Sequence, residues 1–200
     1  MGRGKTNKYD RILESAIAVF AKNGFYQSTI AQIARQAGVA DGTIYLYFKN
    51  KDDILYQFFE HKAKRIFDSF RHEVSGVDSA EQKLRVLIRR HLSEFQADMN
   101  MAIVFQAETH QSHKNMEVYL NDLSRMYLDL VGEIVELGQE EGAFRRDLYL
   151  SLVKRVVLGA VNEVINTWVL AGGKYELVTM GDPLVDLFLN GIREPVIEHR

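Results

Sequence analysis

The chain has 200 residues, 46% of them hydrophobic and 26% charged, which fits a globular protein of one or two domains able to bury a sizeable core. It has no cysteine, so thiol catalysis, thiolate metal sites and disulfides are excluded together. The net charge of -2 is uneven: up to Lys51 eight cations face three anions, a net of +5 that leaves -7 for the remainder, the footprint of a DNA-binding head on a body that does not touch DNA.

The polar opening MGRGKTNK lacks the apolar core of a signal peptide, and no stretch approaches the roughly 20 uninterrupted apolar residues of a membrane span. A cytoplasmic location with no membrane partner is therefore expected. From Lys5 to Asn23, Ile12, Ala16, Val19 and Phe20 recur at i, i+4, i+7 and i+8, which predicts an amphipathic helix ending at Gly24. Phe25 and Tyr26 make a short aromatic link. From Ser28 to Lys51 the pattern predicts two short helices broken by a glycine turn. Thr29 caps the first, whose apolar positions are Ile30, Ile33, Ala34 and Ala37, and Gly38 supplies the turn. The second begins near Ala40, carries Thr43, Ile44, Tyr45 and Tyr47, and ends against Phe48 and the Lys49-Asn50-Lys51 corner, where a third helix starts. Such a pair describes a helix-turn-helix, whose second member enters the DNA major groove.

A long helix is predicted from Asp52 to Val74, with Ile54, Leu55, Phe58, Phe59, Ile66, Phe67 and Phe70 in a broad apolar stripe. After a break at 75–78, Ser79 followed by Gln82 fits a capping box for a helix carrying Leu84, Leu87, Ile88, His91, Leu92 and Phe95, which ends around 98–100. A shorter helix, Met101 to His110, and a long one, Lys114 to Gly142, follow. From Leu148 to Ala171 apolar residues cover most of the helix circumference, and the last helix, after Pro183, has the same excess. A helix apolar nearly all round must be buried nearly all round. These two are expected to form a subunit interface through Val157, Val161, Val164, Trp168, Leu184 and Phe188, as a two-fold four-helix bundle, the alternative being the core of one monomer. No strand alternation occurs, so the fold class is all-α.

The stretch IAQIARQAGVADGTIYLYFKNKDDIL resembles the signature of the TetR family of bacterial transcriptional repressors, in which an A-G-V turn leads to a G-T-[IL]-Y-x-x-F segment and a following lysine. The resemblance implies about nine helices: a three-helix helix-turn-helix DNA-binding domain over 1–51 and a helical ligand-binding and dimerisation domain over 52–200. AIVFQAETHQS, NEVINTWV and KYELV are similar, more specifically, to the acyl-CoA-responsive repressors of fatty-acid degradation in Bacillus-type bacteria. That implies a homodimer on a palindromic double-stranded operator, released by long-chain acyl-CoA. The alternative within the family is a sensor of drugs or other small hydrophobic molecules.

DNA contacts are assigned on this basis to Thr29, Gly42, Thr43, Tyr45, Tyr47 and Lys51. Tyr45 and Tyr47 have hydroxyls for phosphate and rings for bases, Thr43 is short enough to meet a phosphate or a thymine methyl, and Gly42 permits close approach. Thr29 offers its hydroxyl or a neighbouring amide. Lys51 opens the next helix, so its ammonium and the helix amides form an anion site. The chain departs from the family pattern at Ala40, often Ser or Thr, and at Asp41, often basic or polar; Asp41 either accepts from a cytosine amino group or caps the helix.

An acyl-CoA needs an apolar tunnel for its chain and cations for its phosphates. Tunnel candidates are Phe67, Phe70, Leu87, His91, Phe95, Ile103, Phe105, Leu123, Tyr127, Val164 and Trp168. Asn162, Glu163 and Asn166 lie in an apolar helix and should line the pocket or bond across the interface, since unpartnered burial is costly. Phosphate candidates are His110, Lys114, Arg89, Arg90, Arg125 and Arg155. Glu108-x-His110-x-x-His113 has the spacing of metal ligands on one helical turn, but no metal and no cofactor is expected, the effector aside. With no nucleophile elbow, complete phosphate loop or catalytic carboxylate pair, no enzymatic activity is expected either.

Overall fold

The structure, a computed structural model, describes residues 7–111 and 114–192. Among the described residues are nine α-helices and no strand: α1 (Lys8–Asn23), α2 (Ile30–Ala37), α3 (Asp41–Ile44), α4 (Lys51–Ser75), α5 (Ala80–Ala97), α6 (Met99–Gln111), α7 (Lys114–Glu140), α8 (Leu150–Leu170) and α9 (Gly181–Ile192). A 3-10 turn, Leu177–Met180, leads into α9. The chain divides into two compact units, Met1–Arg65 with Asp98–Met116, and Ile66–Ala97 with Glu117–Arg200.

In the first unit the helices stop and start where side chains satisfy orphan backbone groups. α1 begins at Lys8, where Asn7 caps it and its side chain accepts from the Tyr9 amide at 3.3 Å; the expected start at Lys5 lies outside the described residues. Thr29 and Gln32 form a reciprocal capping box at the start of α2, the Gln32 side chain accepting from the Thr29 amide at 2.9 Å. Gly38 then takes a left-handed φ of 63°, which turns the chain towards α3. α3 has only four residues and no side-chain cap from Ala40, but the amides of Tyr47 and Phe48 both reach the Ile44 carbonyl at 3.0 Å and prolong its helical course. α4 opens on a second reciprocal cap: Asn50 accepts from the Asp53 amide and Asp53 from the Lys49 amide, each at 2.8 Å. Ile12, Ala16, Phe20, Ile33, Ala34, Ile44, Phe48, Ile54 and Phe58 fill the core of this unit, with α1 packed on α2 and α6. α6 starts at Met99, two residues before the expected Met101, because Asp98 accepts from the Met101 amide at 3.0 Å.

In the second unit the Ser79 hydroxyl accepts from the Gln82 amide at 3.3 Å, as its capping role predicts, and α5 buries Leu84, Leu87, Ile88 and Leu92. α5 packs on α9, α8 and the 3-10 turn. α9 begins at Gly181, so Pro183 lies inside its first turn and not before it, a position where the missing N–H leaves no helical bond unmade. Arg85 on α5 ties this turn down, with one guanidinium nitrogen 3.0 Å from Asp182 and the other 2.8 Å from Asp186.

Candidate functional site

At the helix-turn-helix, burial separates scaffold from contact. Ile44 and Phe48 are buried, whereas Tyr45, Leu46 and Tyr47 are 60%, 80% and 42% exposed. The backbone therefore turns Tyr45, Leu46 and Tyr47 outward and leaves Thr43 half-buried, while Phe48 stays beneath. Gly42 is exposed, and a Cβ there would meet nothing within 4 Å, so the protein itself does not require a glycine at this point. Leu46, an apolar side chain between the two tyrosines, belongs to the same surface and is not among the residues expected from sequence; its signal is that it falls off the Ile44–Phe48 apolar face. Tyr9 is a second unforeseen member. Its ring stacks on Phe48 at 5.0 Å and meets the Tyr47 ring edge-on at 6.4 Å, and its hydroxyl donates to Gln57 at 3.1 Å, which ties Tyr9 to α4.

Lys51 is not held as expected. Its ammonium donates to the carbonyls of Phe25, Tyr26 and Ser28 at 2.8, 3.1 and 3.3 Å and lies 4.5 Å from the centroid of the Phe25 ring. An ammonium has three protons, and three carbonyls take them. Thr29 is exposed at the adjoining start of α2. Asp41 is exposed in the first turn of α3, where a carboxylate complements the helix dipole.

The candidate ligand residues divide between the two units. In the second, Phe67, Phe70, His91, Phe95 and Tyr127 are buried and form one aromatic cluster, with the His91 ring 5.7 Å from Phe70, 5.3 Å from Phe95 and 4.9 Å from Tyr127. Leu87 is buried with them in the core and Leu123 is half-buried. Two polar atoms of the cluster, Nδ1 of His91 and the Tyr127 hydroxyl, are buried without a hydrogen-bond partner. Burial pushes the His91 imidazole down to about 3 and the Tyr127 phenol well up, so both are neutral across the physiological range. In the first unit Phe105 and Ile103 are half-buried, with Phe105 6.0 Å from Phe59. The side chains of His110, His113 and Lys114 lie outside the described residues; of the metal pattern only Glu108 is described, and it is buried. No group of three metal-ligating side chains occurs among the described residues.

Several expected phosphate cations already have carboxylate partners. Arg89 lies 2.9 Å from Asp182, Arg90 bonds Glu73 and Glu94, and Arg125 lies 3.4 Å from Asp122; Arg155 is exposed. A cavity of about 540 Å³ in the second unit is lined by Arg71, His72, Lys83 and Glu133 with Leu130, Ile134 and Leu137; its cations are engaged as well, Arg71 lying 3.5 Å from Glu133 and Lys83 donating to the Val74 and Val77 carbonyls.

The apolar circumference of α8 splits cleanly. Val157, Val161, Ile165 and Trp168 are at most 3% exposed within a single chain. The interface expectation for Val157, Val161 and Trp168 is therefore corrected: they are core, and the Trp168 indole N–H is taken up by the Tyr175 carbonyl at 2.8 Å. Val164 is half-buried, as are Leu184 and Phe188 on α9. The open face of α8 carries Leu152, Val156, Gly159, Glu163 and Leu170, with half-buried Asn166 in the same series, spaced alternately four and three residues apart, and α9 adds Leu187, 71% exposed. Glu163, expected to line the pocket or bond across the interface, is exposed in the single chain and accepts from the Thr167 hydroxyl at 3.3 Å. Asn162 and Asn166 are half-buried. No described helix is long and apolar enough to cross a membrane.

Comparison with known proteins covers nearly the whole chain. The description "Bacterial regulatory proteins, tetR family" matches residues 12–58, and "YsiA-like protein, C-terminal region" matches residues 59–191. The fatty acid metabolism regulator protein of Bacillus subtilis (strain 168) is 37% identical over 188 residues, 94% of this chain and 97% of its own length. The solved fatty acid degradation regulator FadR from Bacillus halodurans superposes with a TM-score of 0.87 at 36% identity, over 99% of this chain and 100% of that one. The Bacillus subtilis FadR solved in complex with stearoyl-CoA gives 0.85 at 36% identity, over 92% and 100%.

Proposed function

The chain belongs to the TetR family of bacterial regulatory proteins, and from that premise we propose that it represses fatty-acid degradation genes, binding a palindromic operator as a homodimer and leaving it when long-chain acyl-CoA binds. The observation that carries this reading is the full-length likeness to a fatty acid degradation regulator solved with stearoyl-CoA. Residues 1–51 are the DNA-reading part, with Thr43, Tyr45, Leu46 and Tyr47 as its contact surface and Thr29 and Gly42 at its edge; the exposure of Tyr45 to Tyr47 over buried Ile44 and Phe48 supports this assignment.

Residues 52–200 bind the effector and form the dimer. Phe67, Phe70, Leu87, Phe95 and Tyr127 receive the acyl chain, and His91 with the Tyr127 hydroxyl meets a polar atom of the effector, for which the thioester carbonyl has the right chemistry. Leaving both unpaired costs about 1–3 kcal/mol each, which a hydrogen-bonding ligand removes. The open stripe of α8, with Val164, Leu184, Leu187 and Phe188, is the dimer face. Release is a population shift: the effector binds better to the dimer whose two heads are wrongly spaced for successive major grooves.

The test is a titration of palmitoyl-CoA into the protein bound to a duplex that it has itself selected from a randomised library. Release at micromolar acyl-CoA is expected. Continued binding at saturating acyl-CoA, with release by hydrophobic drugs instead, refutes the effector assignment.

A further inference from the structure

The three carbonyls around Lys51 belong to one short connection, the link from α1 to α2. Gly24 takes a φ of 78°, Phe25 is buried against Phe20 at 5.0 Å, and the buried Ser28 hydroxyl donates to the Gly24 carbonyl at 2.7 Å. This turn points the carbonyls of Phe25, Tyr26 and Ser28 at one place. Carbonyl dipoles converging on a point demand a cation there, and Lys51 supplies it from the first turn of α4. Ser28 is followed directly by Thr29, the cap of α2, while Lys51 follows Asn50, the cap of α4. One side chain thus joins the starts of the two helices whose free amides can face the DNA backbone.

We propose that Lys51 is a positioning residue for DNA binding: it clamps the α1–α2 link and sets α2 relative to α4, and it does not act as a phosphate ligand. The proposal rests on the DNA-binding reading above, but its structural half concerns the free protein. A flexible ammonium can satisfy three carbonyls spread around it, whereas the planar guanidinium of arginine cannot, although arginine serves a phosphate at least as well. Arginine therefore separates the two roles.

The experiment uses the full-length protein with Lys51→Arg and Lys51→Met. In the free protein, amide hydrogen exchange over residues 24–30 is expected to rise about tenfold or more in both variants, the loss of roughly one charged hydrogen bond's worth of protection. On the selected duplex, Lys51→Arg is expected to weaken binding about tenfold while the slope of log affinity against log salt stays within error of the parent, because the charge is retained and the geometry is not. The clamp is overturned if Lys51→Arg keeps parental affinity and exchange. It is equally overturned if Lys51→Met lowers the slope by about 0.9, the signature of one phosphate contact, with exchange unchanged. Should no duplex be selected at all, the DNA-binding reading fails while the exchange measurement still decides the clamp.

Discussion

His91 makes the stability of the second unit depend on pH, with a sign that can be worked out. His91 is 6% exposed, its ring enclosed by Phe70, Phe95 and Tyr127, and its Nδ1 has no hydrogen-bond partner among the described residues. Burial lowers its folded pKa to about 3, against 6.5 for an exposed histidine. The unfolded chain therefore takes up a proton near pH 6.5 that the folded chain refuses. The stabilisation from neutral His91 is complete above pH 6.5 and is lost as the pH falls through the window between 6.5 and 3. Each unit in that window is worth about 1.4 kcal/mol, so at pH 5 the native state is about 2 kcal/mol less stable than at pH 7.5 on account of this residue alone. For a chain of this size that lowers the unfolding midpoint by about 4–8 °C. The assay is thermal or urea unfolding of the parent and of His91→Leu at pH 7.5 and pH 5, at one protomer concentration. Contributions from other ionisable groups cancel in the difference between the two proteins. The parent should lose about 2 kcal/mol more than the variant on acidification. Equal losses would show that the imidazole is solvated or charge-paired in solution, and would refute the burial argument.

Two further substitutions probe the packing of the same unit. Gly159→Trp places a bulky side chain on the open stripe of α8, where an added Cβ meets nothing within 4 Å of its own chain; circular dichroism of the protomer should be unchanged while sedimentation velocity shows monomers in place of dimers, and a persisting dimer removes this stripe from the interface. Gly138→Ala drives a methyl group into the Phe144 ring, which is 1% exposed, and is expected to destabilise by about 1–3 kcal/mol in urea unfolding; if Phe144→Leu in the same chain restores nothing, the overlap is not the cause.

What the sequence disclosed and what it withheld follow the range of the interactions involved. The caps at Thr29, Ser79 and Gly38 are local bonds between residues three or four apart, and the structure places each where the pattern predicts. The outward tyrosines rest on the family resemblance, since a helical period sets residues two apart on different faces, and the structure leaves Tyr45, Leu46 and Tyr47 all exposed over buried Phe48. Lys51 was opaque for the opposite reason. Its position at a helix start suggests an anion site, but its partners lie 23 to 26 residues earlier and present backbone carbonyls, which leave no trace in side-chain pattern. Arg89 shows the same limit: cation and carboxylate were both visible, yet only folding pairs Arg89 with Asp182.

The apolar girdle of α8 is the hardest case, since composition alone cannot divide one interior from two. A helix buried by its own chain on one side and by a second copy on the other has two apolar faces, and their sum looks like a helix apolar all round. The division becomes visible only when the residues are sorted by period. Val157, Val161, Ile165 and Trp168 advance by four, four and three, and fold inward. Leu152, Val156, Gly159, Glu163, Asn166 and Leu170 advance by four and three alternately and, apart from half-buried Asn166, stay open, a heptad seam of the kind that packs against another helix at close range. Gly159 belongs to the second series, and a glycine costs a helix interior about 1 kcal/mol relative to alanine. Since a Cβ at 159 would meet nothing within 4 Å among the described residues, no contact with them requires the glycine, whereas the proposed close approach of a partner helix would make use of it. On that arrangement Glu163 and Asn166 fall in the middle of the seam, where polar side chains select one register of the paired helices over its slipped alternatives, and so the spacing of the two DNA-reading heads.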